Sequence, residues 1–205
     1  MLEVTNLDCI RGDRKLFSDI SFSLEPGSFL QLQGANGSGK TSLLRILCGL
    51  LAPARGEIFW QGANIRSLGE EYFTAITYIG HRSAVKEELT GVENHRINNG
   101  LAGVQLTREQ AIESLQKMGL SSRENLPARM LSEGQRRRLA LSRLLSAATP
   151  LWILDEVLTS LDRAAVNLVT SIIETHLQAG GMAVVATHQE MDLTAGSFQR
   201  LHLTS

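Results

Sequence analysis

Apolar positions change rhythm along the chain, and each rhythm predicts an element. Leu2 to Leu7 reads as a short strand. Ile20, Phe22 and Leu24 alternate with Ser21 and Ser23, a strand with one wet and one buried face. Glu25-Pro26-Gly27 turns the chain into the apolar run Phe29 to Gln33, read as a buried strand. Leu43, Leu44, Ile46, Leu47 and Leu50 then recur at helical spacing within Ser42 to Leu51, and Gly49 and Pro53 close that helix. Gly56 to Gly62 is another strand with turns at both ends, where Trp60 anchors sheet packing. Ala75 to Gly80 is a further strand, leading into a polar segment.

Between about 83 and 132 the texture becomes helical. Thr90 stands three residues before Glu93, the spacing of a capping box at a helix start. Thr107 to Met118 places Ala111, Leu115 and Met118 on one face and Glu109, Glu113 and Lys117 on the other. A helix opens at Leu131 to Gln135, continues through Leu141, Leu144, Leu145 and Ala148, and is broken by Pro150. Leu151 to Leu154 is continuously apolar, the pattern of a parallel strand buried on both faces. A helix over about Ala164 to Leu177 and a buried strand Met182 to Thr187 follow. The alternation predicts a mainly parallel α/β sheet in one domain over 1–205, with a helical subdomain inserted at about 83–135.

Composition narrows the class. The hydrophobic content of 43% supports a sizeable core within 205 residues. With 20 Lys+Arg against 21 Asp+Glu, the formal charge of −1 offers no broad basic field for nucleic acid or an anionic membrane. Cys9 and Cys48 lack metal spacing, and Cys48 reads as a small buried thiol on a helix. No apolar window is long enough to span a membrane, and residues 1–20 carry no signal-peptide core. A cytoplasmic protein is expected, one that reaches a membrane only through partner subunits.

The chemistry lies at strand ends. Gly34-Ala35-Asn36-Gly37-Ser38-Gly39-Lys40-Thr41 matches the phosphate-loop pattern G-x-x-x-x-G-K-[ST] between a strand and a helix. Glycines let backbone N–H groups turn around a polyphosphate, and the helix start adds unpaired N–H groups and a positive dipole end. Lys40 supplies a point charge to the outer phosphates, Thr41 can ligate Mg²⁺, and Ser42 completes the nucleotide-binding stretch. The motif implies binding of a nucleoside triphosphate. Asp155 and Glu156 end the next buried strand. Asp155 is placed to hold Mg²⁺, which prefers oxygen ligands, and Glu156 to polarise an attacking water. His188, at another strand end, can hydrogen-bond the γ-phosphate or that water.

Leu131-Ser132-Glu133-Gly134-Gln135 resembles the LSGGQ signature of ABC-type ATPases, with Glu133 replacing the first glycine. Ser160-Leu161-Asp162 is similar to that family's D-loop, and His188 to its switch histidine. The resemblance covers essentially the whole chain. It implies a P-loop NTPase fold of ABC type, with N-terminal antiparallel strands, a mainly parallel core sheet and a helical subdomain. It also implies a head-to-tail homodimer, with each ATP between one phosphate loop and the other subunit's Ser132, Gly134 and Gln135. Leu16-Phe17, Gly80-His81, the run from Trp152 to Glu156 and Thr187-His188-Gln189 narrow the resemblance to ATP-binding subunits of bacterial haem-exporter, cytochrome c maturation complexes. Integral membrane transporter subunits are the implied partners, ATP and Mg²⁺ the cofactors, and the cytoplasmic face of the inner membrane the place.

Three departures bear on mechanism. Arg11 stands where the family places an aromatic to stack on adenine; its planar guanidinium can stack instead or remain solvated. His81 aligns with the Q-loop glutamine, followed by Arg82, and imidazole is a poor Mg²⁺ ligand beside an amide oxygen. Val157 replaces a proline after the carboxylate pair, with a small expected effect. A membrane-subunit helix is expected beside His81 and Arg82, in the groove between the α/β core and the insertion. Competing functions are a different small transporter, a non-transport ABC ATPase acting on nucleic acid or ribosomes, and a small-molecule kinase. Single-cassette length and near-zero charge disfavour the nucleic-acid reading, and a kinase leaves the Leu131 to Gln135 motif unexplained.

Overall fold

The computed structural model describes every residue except Glu190, Asp192, Ala195 and Ser205. Its elements, in order, are β1 (Leu2–Arg11), β2 (Arg14–Leu24), β3 (Ser28–Gly34), α1 (Lys40–Leu47), β4 (Arg55–Trp60), β5 (Ala63–Asn64), α2 (Ile65–Leu68) and α3 (Glu70–Thr74). Then come β6 (Ile76–Ile79), α4 (Gly91–Leu101), α5 (Arg108–Lys117), α6 (Glu133–Leu141), β7 (Leu151–Asp155), α7 (Arg163–Gln178), β8 (Met182–Ala186) and β9 (Ser197–Leu203). The chain divides into two compact units. One comprises Met1–Tyr78, Thr149–Glu156 and Ile173–Ser205; the other comprises Ile79–Ala148 and Val157–Ile172.

The first unit is α/β. Its described residues form an antiparallel sheet, ordered β2-β1-β4-β5, and a second sheet ordered β6-β7-β8-β3-β9. In the second sheet β7 runs parallel to β8, β8 to β3 and β3 to β9. One apolar cluster joins both sheets through α1, whose Leu43, Leu44, Ile46 and Leu47 are buried. All five residues of β7 and all five of β8 are buried, as continuous apolar runs require in a sheet covered on both faces. Each fully buried Val, Leu or Ile contributes about 1.5–3 kcal/mol. Trp60 packs edge-on against Tyr72 with ring centroids 6.0 Å apart, the sheet anchor expected of it. Cys9 and Cys48 are free and buried, and burial pushes both thiols up.

The second unit is helical, built from α4, α5, α6 and the first part of α7. Val92, Ala111, Leu115, Met118 and Leu139 are buried there. Thr90, Thr107 and Ser132 each close a capping box at the start of α4, α5 and α6. A polar group lies inside this apolar packing. Ser142 Oγ is 2.7 Å from His95 Nδ1, Asn99 Nδ2 donates to the His95 carbonyl at 2.8 Å, and Ser146 donates to Asn99 Oδ1.

Several boundaries differ from the sequence reading. The first strand continues to Arg11, and the alternation around Phe22 belongs to a strand starting at Arg14. The helix after the phosphate loop ends at Leu47, because the chain reverses through Gly49 at φ 71°. The helix beginning at Glu133 tightens into a 3-10 turn over Ser142–Leu145. There the Ser142 hydroxyl competes for the Leu139 carbonyl. β5, α2, α3 and β9 add elements that hydropathy alone did not predict.

Candidate functional site

The sheet order brings three strand ends together. β8 lies between β7 and β3, and the register sets Asp155 beside Ala186 and Ala186 beside Leu32. The residues that follow are therefore the carboxylate Glu156, Thr187-His188 and the phosphate-loop glycine Gly34, all at one edge of the sheet. Ligand sites of α/β sheets form at the carboxyl ends of strands.

The loop from Gly34 to Lys40 is shaped by what its glycines leave out. Gly34 lies at φ 149°, where an added Cβ would meet Ser38 Oγ at 2.6 Å and the Leu203 carbonyl at 2.8 Å. Gly39, at φ 101°, faces Phe17 and Leu16 of β2, which an added Cβ would meet at 3.0 and 3.1 Å. Ala35, Asn36 and Gly37 are exposed, whereas Ser38, Gly39 and Lys40 are buried. Ser38 Oγ has no hydrogen-bond partner among the described residues, although it is buried. An oxygen-rich anion seated in the loop would supply one.

Lys40 is the cation of the site. Its ammonium donates to the Gly34 carbonyl at 2.7 Å and the Ala35 carbonyl at 3.3 Å, and lies 3.2 Å from His188 Nε2. An ammonium has no acceptor, so a hydrogen bond in this pair runs from Lys40 to the ring nitrogen. Glu156 Oε1 is 3.8 Å from both Lys40 Nζ and His188 Nε2. Glu156 occupies the left-handed region at φ 49°, a conformation that costs a non-glycine residue about 1–3 kcal/mol and persists where its surroundings fix it. Its N–H donates to the Ala186 carbonyl at 2.9 Å. Asp155, one residue earlier, is buried. Leu16, Asn36, Gly37, Gly39, Lys40, Thr41, Ser42 and Glu156 line a cavity of about 250 Å³. Leu16 was not read as a site residue. Arg11 is exposed and is not among the residues lining that cavity.

In the helical unit, Ser132 caps α6, accepting from the Gln135 N–H at 3.2 Å, while Gln135 Oε1 accepts from the Ser132 N–H at 2.9 Å. Leu131 is buried behind them. Ser160 Oγ donates to Glu133 Oε1 at 2.8 Å, and an added Cβ on Gly134 would meet the Ser160 carbonyl at 2.8 Å. The carboxylate at 133 and the bare backbone at 134 thus both seat Ser160, which lies at φ 64°. Leu161 follows Ser160, and Asp162 accepts from the Ala165 N–H at 2.8 Å, holding the start of α7. His81, Glu133 and Ser160 line one cavity of about 100 Å³, so three segments distant in sequence meet in this unit. His81 and Arg82 are exposed.

The ABC transporter family profile matches residues 17–159. A cytochrome c biogenesis ATP-binding export protein of Nitrosospira multiformis is 59% identical over 99% of this chain and 98% of its own length. Its counterpart in Nitrosomonas europaea is 52% identical over 100% and 96%. Among solved structures, an ABC transporter ATP-binding protein from Pyrococcus furiosus superposes with a TM-score of 0.83 at 22% identity, over 98% of this chain and 96% of that one. A dimeric ATP-binding cassette in a post-hydrolysis state, bound to ADP and Pi, gives 0.80 at 22% identity, over 92% and 88%. At such identities the structures bear on the fold alone.

Proposed function

Because this chain belongs to the ABC transporter family of ATP-binding proteins, we propose that it is the ATP-hydrolysing subunit of a membrane transporter complex of the haem-exporter, cytochrome c maturation type. One observation carries the chemistry: Lys40, Glu156 and His188 converge within 3.2–3.8 Å beside a glycine loop. The type of complex rests on the relatives at 59% and 52% identity.

ATP phosphates lie along the N–H groups from Gly34 to Thr41, with Lys40 on the outer phosphates. Thr41 and Asp155 offer hard oxygen donors that fit Mg²⁺, and no group of three His, Cys, Asp or Glu among the described residues would hold a metal alone. Bound there, Mg²⁺ would neutralise phosphate charge, with phosphate and water oxygens completing its shell. Glu156 accepts a proton from a water as its oxygen attacks the γ-phosphorus, and the bond to ADP breaks to release phosphate. Such a base contributes about 10²–10⁴-fold. His188, held beside Lys40, orients the γ-phosphate.

A second copy completes each site with Ser132, Gly134 and Gln135, and its D-loop Ser160, Leu161 and Asp162 stands nearby. The cassette is one ATP-binding domain over 1–205 with its helical insertion at about 83–135. Among the described residues no helix is long and apolar enough to cross a membrane. Integral membrane subunits therefore anchor it to the cytoplasmic face, docking beside His81 and Arg82. ATP closes the dimer, and hydrolysis reopens it to drive haem export or release of a haem-loaded chaperone.

Two variants test the site. Lys40→Ala removes the full positive charge on the phosphates and should abolish tight ATP binding in an equilibrium titration. Affinity within about twofold of the parent would refute the phosphate-loop assignment. Glu156→Gln should keep ATP binding, lose ~10²-fold or more of turnover, and trap an ATP-bound dimer visible by light scattering. Unchanged turnover would place the base elsewhere.

A further inference from the structure

The backbone passes from the α/β unit into the helical unit at Tyr78–Ile79 and again at Glu156–Val157. Just beyond each crossing, backbone carbonyls turn towards one side chain. Arg137, on α6, donates from Nη1 to the Gly80 carbonyl at 3.2 Å and the His81 carbonyl at 3.0 Å, and from Nε to the Val157 carbonyl at 3.1 Å. It is only 6% exposed, whereas its neighbours Arg136 and Arg138 are half-buried. A guanidinium presents its donors in a rigid planar fork, so bonds from two of its nitrogens fix the relative positions of both segments.

We propose that Arg137 is a positioning residue for ATP hydrolysis. It fastens the His81 segment and the residue after Glu156 to the helix that begins with Ser132 to Gln135. The Glu156 backbone is what this clamp sets. Its φ of 49° is unfavourable for a residue with a side chain, and its flanks are fixed on both sides. On the amino side the Glu156 N–H bonds to the Ala186 carbonyl at 2.9 Å; on the carboxyl side the Val157 carbonyl bonds to Arg137. A shift of α6 or of Gly80-His81 must therefore act on the chain next to the carboxylate through Arg137. A buried arginine whose bonds all served packing would have no reason to join these two crossings.

The inference rests on Glu156 as the base, and Glu156→Gln serves as the control that separates the two. Arg137→Lys keeps a charge on the same stem but cannot span both segments with one planar group. Arg137→Met keeps the volume and removes every donor. In the full chain, both should lower kcat about tenfold or more, with Met the lower. Affinity for ATP should stay within about twofold, because Arg137 is not among the residues that line the phosphate-loop cavity. Hydrogen exchange should speed up together at 79–82 and at 157–159, and not at 34–41. That paired change distinguishes a clamp from a general packing residue, and it can be read in Arg137→Lys even if Arg137→Met fails to fold. A kcat within about twofold of the parent in Arg137→Lys, or exchange rising in only one segment, would overturn the proposal. So would a parallel loss of kcat, ATP affinity and melting temperature. If Glu156→Gln itself turns over ATP like the parent, the base assignment fails instead.

Discussion

His95 shows what one buried residue does to the whole stability curve. Its ring is fully buried in the helical unit, with Nδ1 beside Ser142 Oγ and Nε2 without a partner among the described residues. Burial and then the charge of Arg143 push it down from the usual 6.5 to about 4. The unfolded chain therefore binds this proton more readily than the folded one. His95 thus contributes stability in full above about pH 6.5, and that contribution is lost as pH falls towards 4. Between pH 7 and pH 5, where most carboxylates stay ionised, the loss from His95 is on the order of 2 kcal/mol. His176 is also pushed down, chiefly by burial, and adds to the fall with the same sign. Urea unfolding at the two pH values should show this decline in the parent and a much shallower one in His95→Met. Equal declines would mean that the ring titrates freely in the folded state.

At the scale of elements, legibility followed how local the cause is. The phosphate loop could be read because its chemistry prescribes a residue at each position, and β3 and α1 flank it as the motif requires. The start of α4 could be read because a capping box is a contact across three residues, here Thr90 with Glu93. β7 and β8 could be read because burial on both faces leaves continuous apolar runs. α2 and α3 could not: at four and five residues they are too short to show a period, and the Asn64 cap that starts α2 is the last residue of the two-residue strand β5. β9 escaped for a different reason. It runs along the edge of its sheet, and its hold comes from Phe198 stacked on Phe29 at 5.3 Å with Arg200 over the Phe198 ring. The Phe29 contact is distant in sequence, and burial alternates only over the last five residues of Ser197–Leu203, ending in one buried leucine. The same applies to Arg137 and Leu16. A buried arginine inside a run of three looks solvated, and a leucine beside a phosphate loop looks like any strand residue, until the fold supplies their neighbours.

At the scale of the whole molecule, the proposed function asks how a nucleotide state in this chain would reach membrane partners, since among the described residues no helix is long and apolar enough to cross a membrane. With 20 basic and 21 acidic side chains, overall charge gives no general attraction to a partner, so recognition must be local. The segment from His81 to Leu89 is suited to it. It holds no regular structure, yet Asn94 fixes its far end, accepting from the Lys86 N–H at 2.7 Å and donating to the carbonyls of Lys86, Leu89 and Thr90. A preformed loop loses little entropy on docking. Val85 and Leu89 are half-buried and offer apolar area, while exposed Arg82 sits beside them in the chain. Interfaces depend more on a buried apolar anchor than on rim charges. Val85 and Leu89 should therefore govern assembly with the membrane subunit, and Arg82 the association rate and its salt dependence. The near crossing of this segment is held by Arg137 through Gly80 and His81, so a partner seated here would pull on the same clamp that sets Glu156. Val85→Asp puts a charge into the anchor without touching the phosphate loop. ATPase activity of the isolated chain should remain within about twofold of the parent, while pull-down of the membrane subunit from detergent extracts should be lost. Retained pull-down would move the partner site to another face, and loss of both activities would mean that the loop, not the interface, had failed.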